Sequence, residues 1–162
     1  MEQIIFWGAL FCGFATCLLA GVFLAFSDFI MRSLNAASRT AAAEVMQLIN
    51  RKIYRSVFML LFMGMVPVSL VAGAGALTGE GGPWTALAGA AAAYIFGVFG
   101  VTALGNVPLN NRLDRMELGG PDAQNFWPNY ARPWLRYNHI RTVFCVITSV
   151  CFFRAAFEVT AG

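Results

Sequence analysis

The chain has 162 residues, 59% hydrophobic and only 12% charged, with a formal net charge of +3 and a mean hydropathy of +0.65. Soluble domains carry about 25% charged residues, and a chain of this length has too small a core to hide so much apolar surface, so an ordinary soluble domain is excluded. The modest positive charge is distributed by loop, which reads as membrane topology and not as nucleic-acid binding.

Residues 4–26 form the first predicted span, long enough at about 1.5 Å per residue to cross a hydrocarbon core of about 30 Å. Glu2 is acidic and no basic cluster precedes the run, so it reads as a retained helix and not a cleaved signal segment. It is expected to continue to Leu34. Gly8, Gly13, Ala15, Ala20, Gly21 and Ala25 would let a neighbouring helix approach closely, and Asp28 and Arg32 are spaced as a helical ion pair. After a polar turn at 35–40, a helix from Ala41 places Gln47, Asn50 and Tyr54 on one face.

The second span, 56–76, contains Pro67, whose kink a membrane helix tolerates. Residues 77–83 are rich in turn formers. The third span, 84–104, opens on Trp84 and is dense in alanine and glycine, which suits the middle of a bundle. Asn106 and Asn110 flank Pro108. That proline is expected to break the helix and leave Val107 extended, with the two amides satisfying the freed backbone groups. Residues 114–125 read as the longest loop. Pro133 suits the first turn of a last helix, whose apolar span is 138–157.

Basic residues lie around the first loop (Arg32, Arg39, Arg51, Lys52, Arg55) and the third (Arg112, Arg115, Arg132, Arg136, Arg141), while the second has none. The positive-inside rule then makes loops one and three cytoplasmic and both termini extracytoplasmic. The expected fold is therefore all-α: one integral membrane domain over residues 1–162, a four-transmembrane-helix bundle in a bacterial inner (plasma) membrane. Cys12, Cys17, Cys145 and Cys151 form no Cys-x-x-Cys pair and the chain has a single histidine, so no metal site is expected.

The polar chemistry concentrates at 127–141, which holds Trp127, Tyr130, Trp134, Tyr137, three arginines and His139. Trp134, Asn138, Arg141 and Cys145 fall on one helical stripe. They would place aromatic, amide and guanidinium groups at the mouth of an apolar cavity. The competing reading is an interfacial belt, with Trp127, Tyr130 and Arg136 serving as anchors.

Four blocks carry a family resemblance: Ala20-Gly-Val-Phe-Leu-Ala-Phe-Ser27; Met46-Gln-Leu-Ile-Asn50; Asn106-Val-Pro-Leu-Asn110 with Leu113; and Trp127, Tyr130, Trp134, Asn138-His139, Arg141-Thr142. In this order they resemble the anthrone oxygenase-like family of small membrane proteins. Here Met31 is followed by Arg32 where the family has Met-Pro, Arg55-Ser56 stands for Asn-Pro, and Tyr137 precedes the Asn-His pair in place of Trp. The resemblance implies four membrane helices and oxidation of anthrones to anthraquinones without metal, flavin or other cofactor. It assigns His139 as base, with Asn138 and Arg141 stabilising anions. Asn106, Asn110, Gln47 and Asn50 would orient the substrate, and Trp127, Tyr130 and Trp134 would contact its rings. The expected partners are the lipid bilayer, a lipophilic small molecule and a second copy of the chain, with no nucleic acid. The alternative is a non-enzymatic membrane module that binds a lipophilic metabolite or supports a partner protein.

Overall fold

The computed structural model describes residues 2–79 and 81–161, and all regular structure among them is helical. Helix α1 (Glu2–Ala25) passes through a π-helical turn, Phe26–Ile30, into α2 (Met31–Ala36). Only Ala37 and Ser38 separate it from α3 (Arg39–Lys52), because the Ser38 hydroxyl accepts from the Ala41 N–H and starts a new helix at once. A short 3₁₀ turn, Ile53–Arg55, leads to Ser56, whose extended backbone (φ −110°, ψ 157°) and hydroxyl cap α4 (Val57–Ala76). After a turn at 77–81, shorter than the expected 77–83 and with Glu80 outside the described residues, α5 (Gly82–Ala92) runs through two π-helical stretches, Ala93–Gly100 and Thr102–Asn106, into α6 (Val107–Asp114). Helix α7 (Pro121–Ala161) completes the chain.

Four of these runs are long and apolar enough to cross a membrane: Glu2–Ala36, Val57–Ala76, Gly82–Asp114 and Pro121–Thr160. The chain is an integral membrane protein with the expected number of spans. Three of the runs exceed the thickness of the bilayer. The 35 residues of the first extend about 50 Å, against about 30 Å of hydrocarbon. The excess lies at one end, where the helices pack a second core with α3.

There are accordingly two cores. One lies among the spans and includes Leu19, Phe23, Phe62, Tyr94, Val98, Cys145 and Phe152. The other, in the cap beyond them, gathers Met31, Ala43, Met46, Leu113, Phe126, Trp127, Tyr130 and Trp134. The residues expected to be loops are thus mostly packed helix. The 35–40 turn shrinks to two residues and the 114–125 loop to 115–120.

Proline behaviour differs from expectation. Val107 is helical (φ −60°, ψ −44°) and Pro108 follows directly on the Thr102–Asn106 π-helical stretch, within a run that stays helical from Gly82 to Asp114. Pro128 and Pro133 lie inside an unbroken α7 of 41 residues, which begins well before Pro133. An internal proline costs about 3 kcal/mol. Around these two, Phe126, Trp127, Tyr130, Ala131 and Trp134 are all buried, and their packing offsets the loss.

The third span is not the centre of the bundle. It packs against α4, α7 and, through α6, α3, with no contact to the first span among the described residues, while α7 packs against the first span, α3 and the third span. Small residues of the third span nonetheless set its approach to α7. A Cβ on Gly89 would lie 3.4 Å from Cys151 Sγ and on Gly105 2.7 Å from Tyr137, and one on Gly97 would collide with the Phe144 ring. This antiparallel series repeats every eight residues along the third span. In α1, Gly13 receives Phe153 in the same way, but Gly8 and Gly21 face open space.

Candidate functional site

Where the two cores meet, an apolar cavity of about 320 Å³ lies between all four spans and α3. That is near the lower end of the roughly 300–1,000 Å³ of small-molecule sites. Its walls are largely aromatic and thioether: Phe23, Phe26, Phe58, Met59, Phe62 and Phe99. The polar groups reaching it are Asn50, Tyr54, Thr102, Asn110, Asn138 and Arg141, and among the described residues no aspartate, glutamate, lysine or histidine lines it. Val22, Met63 and Tyr54 on the wall are exposed, so the cavity opens on the flank of the bundle.

Arg141 dominates the electrostatics. Its side chain is buried, with 6% of the residue exposed. One terminal N–H donates to Asn138 Oδ1 at 2.7 Å and another to Thr102 Oγ1 at 3.4 Å, while Nε has no partner. The guanidinium carbon lies 4.3 Å from the centroid of the Phe23 ring and 5.3 Å from that of Trp134. The cation is therefore partly offset by ring faces. No carboxylate answers it: among the described residues the ion pairs are Arg32–Asp28, Arg51–Asp114 and Arg154–Glu158. A buried charge without a counter-ion costs several kcal/mol, an expense that structure alone gives no reason to retain.

Asn138 holds that arginine in place. Its amide nitrogen donates to the Phe23 carbonyl at 2.7 Å and to Ser27 Oγ at 2.8 Å, and its oxygen accepts from Arg141. Ser27 lies in the π turn that follows α1. Such turns shift side-chain register and recur at functional sites. The stretches Ala93–Gly100 and Thr102–Asn106 do the same opposite, bringing Phe99 and Thr102 to the cavity.

Asn110 carries a similar load. Its Oδ1 accepts from Tyr130 Oη and from Trp134 Nε1, each at 2.9 Å. An indole N–H can only donate, so the amide is oriented with its NH₂ away from these partners. Asn50 also lines the cavity, and its Nδ2 is buried without a partner. The buried lining atoms left unpaired, Asn50 Nδ2 and Arg141 Nε, are both donors.

The remaining expected site residues lie elsewhere. Gln47 is fully buried in the cap, donating to Leu113 O and Met116 O and accepting from Gly119 N. The 3₁₀ turn at 53–55 breaks the single face that was to join it to Tyr54. Asn106 donates to Trp134 O outside the lining, leaving its Oδ1 unpaired. Trp127 is buried in the cap and donates to Asn35 Oδ1 at 3.0 Å, and Tyr130 reaches the site only through Asn110. His139 is exposed on the outer side of α7, beside Asn35, Arg132 and Arg136, and takes no part in the cavity.

Residues that reading the sequence did not single out include Phe58, Met59, Phe62, Phe99 and Thr102, ordinary span residues whose composition carries no mark of a site. Phe23 and Ser27 at least fall within the Ala20–Ser27 block. All four cysteines are free, and among the described residues no three His, Cys, Asp or Glu side chains group as metal ligands.

No curated protein and no solved structure matches the chain. A family model does match, over residues 57–151, more than half of the sequence and the segment containing Thr102, Asn110, Trp134, Asn138 and Arg141. With four apolar spans arranged around those residues, the chain belongs to the anthrone oxygenase family.

Proposed function

We propose that the cavity binds a flat, lipophilic carbon acid or phenol as its anion and exposes it to oxygen, in the manner of an anthrone. The observation that carries this reading is Arg141: a buried guanidinium, without a carboxylate, against aromatic rings in an apolar cavity. An enclosed cation stabilises the conjugate base of whatever binds beside it. With no carboxylate or histidine in the lining, the proton leaves to water and Arg141 supplies the driving force.

For an anthrone the balance is simple. Loss of one C–H proton gives an enolate. One electron passes to O₂, giving a carbon radical and superoxide, which join as a C–O bond. The peroxide takes back a proton, and loss of water leaves the ketone, so anthrone plus O₂ becomes anthraquinone plus H₂O. Arg141 would hold the enolate oxygen or superoxide, Asn50 and Asn110 would donate to ring oxygens, and Trp134 and the phenylalanines would exclude water. The exposed rim at Val22 and Met63 supports access from the bilayer. The proposed setting is a bacterial inner membrane with the cap in the cytoplasm.

The lining has no general base, and that favours a second reading in which the cavity holds an aromatic anion without turnover. Purified protein treated with chelator, given emodin anthrone and oxygen, separates the two. Anthraquinone formation above the spontaneous rate, lost in Arg141→Gln, is the expected result. Binding of the anthrone anion with no acceleration overturns the oxygenase and leaves the binding module.

A further inference from the structure

His139 and its neighbours form a second concavity that the reaction does not use. A groove of about 460 Å³ lies on the outer side of α7, lined by Asn35, Pro128, Ala131, Arg132, Leu135, Arg136 and His139. Arg132, Arg136 and His139 recur at i, i+4 and i+7, so they form one stripe. All three are exposed. None makes an ion pair among the described residues, and no carboxylate lines the groove. Asn35 stands across from them at the end of α2, held by Trp127 Nε1 on its Oδ1. The floor is apolar: Ala131 is buried and Leu135 half-buried.

The same stripe continues along α7 into the apolar span. Val143, Val146 and Val150 follow at helical spacing and are 56%, 49% and 58% exposed, facing outward from the bundle. Cationic side chains thus stand where the apolar run begins, with an unobstructed apolar track leading from them toward the membrane centre. A phospholipid has this polarity along its own length. Arginine pairs with phosphate through parallel N–H donors, and basic pockets between membrane helices hold anionic headgroups.

We propose that this groove is a binding site for one anionic phospholipid. Its phosphodiester sits among Arg132, Arg136 and His139, and an acyl chain lies along Val143, Val146 and Val150. The site is independent of the cavity chemistry, and it assigns His139 to lipid.

The test is native mass spectrometry and thermal melting of the full chain in detergent. Phosphatidylglycerol is added, or phosphatidylcholine with the same acyl chains, or inorganic phosphate. The expected result is one phosphatidylglycerol retained per chain, with a raised melting temperature. Retention is lost in Arg132→Ala/Arg136→Ala and kept in Lys52→Ala/Arg55→Ala, which removes two exposed cations outside the groove. If the first double variant does not fold, Arg132→Gln/Arg136→Gln keeps polar side chains there and must show the same loss. Equal retention of the choline lipid, equal loss in both double variants, or undiminished binding without the two arginines overturns the site. Equal stabilisation by inorganic phosphate reassigns it to a free anion and overturns the lipid.

Discussion

Arg141 and His139 lie two positions apart on α7 and meet opposite environments. Arg141 is buried against Phe23 and Trp134 without a carboxylate, and His139 is exposed on the outer side. The arginine is held at a cost to stability that ligand binding would recover. Arg141→Met, of similar reach and no charge, should therefore raise the melting temperature in detergent. An apolar replacement of a buried ionic group often gains about 1–4 kcal/mol. The same variant should lose binding of the substrate anion. A melting temperature that falls would mean that the guanidinium is structural. His139→Ala should leave turnover intact, whereas loss of a general base costs about 10²–10⁴-fold; a fall of that size in quinone formation would return the histidine to the reaction. Gln47 makes its bonds within the cap. Truncation to Ala would leave the Gly119 N–H and the Met116 carbonyl short of partners, while Leu113 O keeps the Met116 N–H, at about 1–3 kcal/mol per stranded group. The melting temperature should fall while ligand affinity in the surviving protein stays unchanged, as titration would read.

Element packing rests on where small residues meet large ones. Gly97 leaves the space that Phe144 of α7 fills, and an added Cβ would collide with that ring. Gly97→Ala should lower the melting temperature, since overpacking costs about 1–3 kcal/mol. Gly64→Ala, with nothing within 4 Å of the new carbon, should leave it unchanged or raised, because alanine is the better helix former. Equal melting of the two variants would mean that the third span does not press on α7. The π-helical stretches matter at this scale too. They lie in the first and third spans, on two sides of the cavity, and bring Phe26, Phe99 and Thr102 to its wall.

As a whole, the molecule is a four-span bundle carrying a packed helical cap, with the cavity between the two cores. The proposed orientation, with the cap in the cytoplasm, follows the positive-inside rule and is open to test. A reporter inserted after Glu117 should score cytoplasmic and one fused after Gly162 extracytoplasmic; the reverse pattern would overturn that orientation. Span number was legible without coordinates, because a bilayer requires about 20 consecutive apolar residues and hydropathy records them directly. The polar blocks were legible too, since amides, indoles and a guanidinium are conspicuous in an apolar chain. Their facing was not. Successive helical residues turn by about 100°, so Asn138 and His139 cannot share a face, and only the packing of α7 on α1 decides that Asn138 points inward to Phe23 and Ser27. Proline gave the wrong boundaries for a related reason. Its local cost is fixed, but burial of Tyr130 and Trp134 around Pro128 and Pro133 is a tertiary gain that local sequence does not contain.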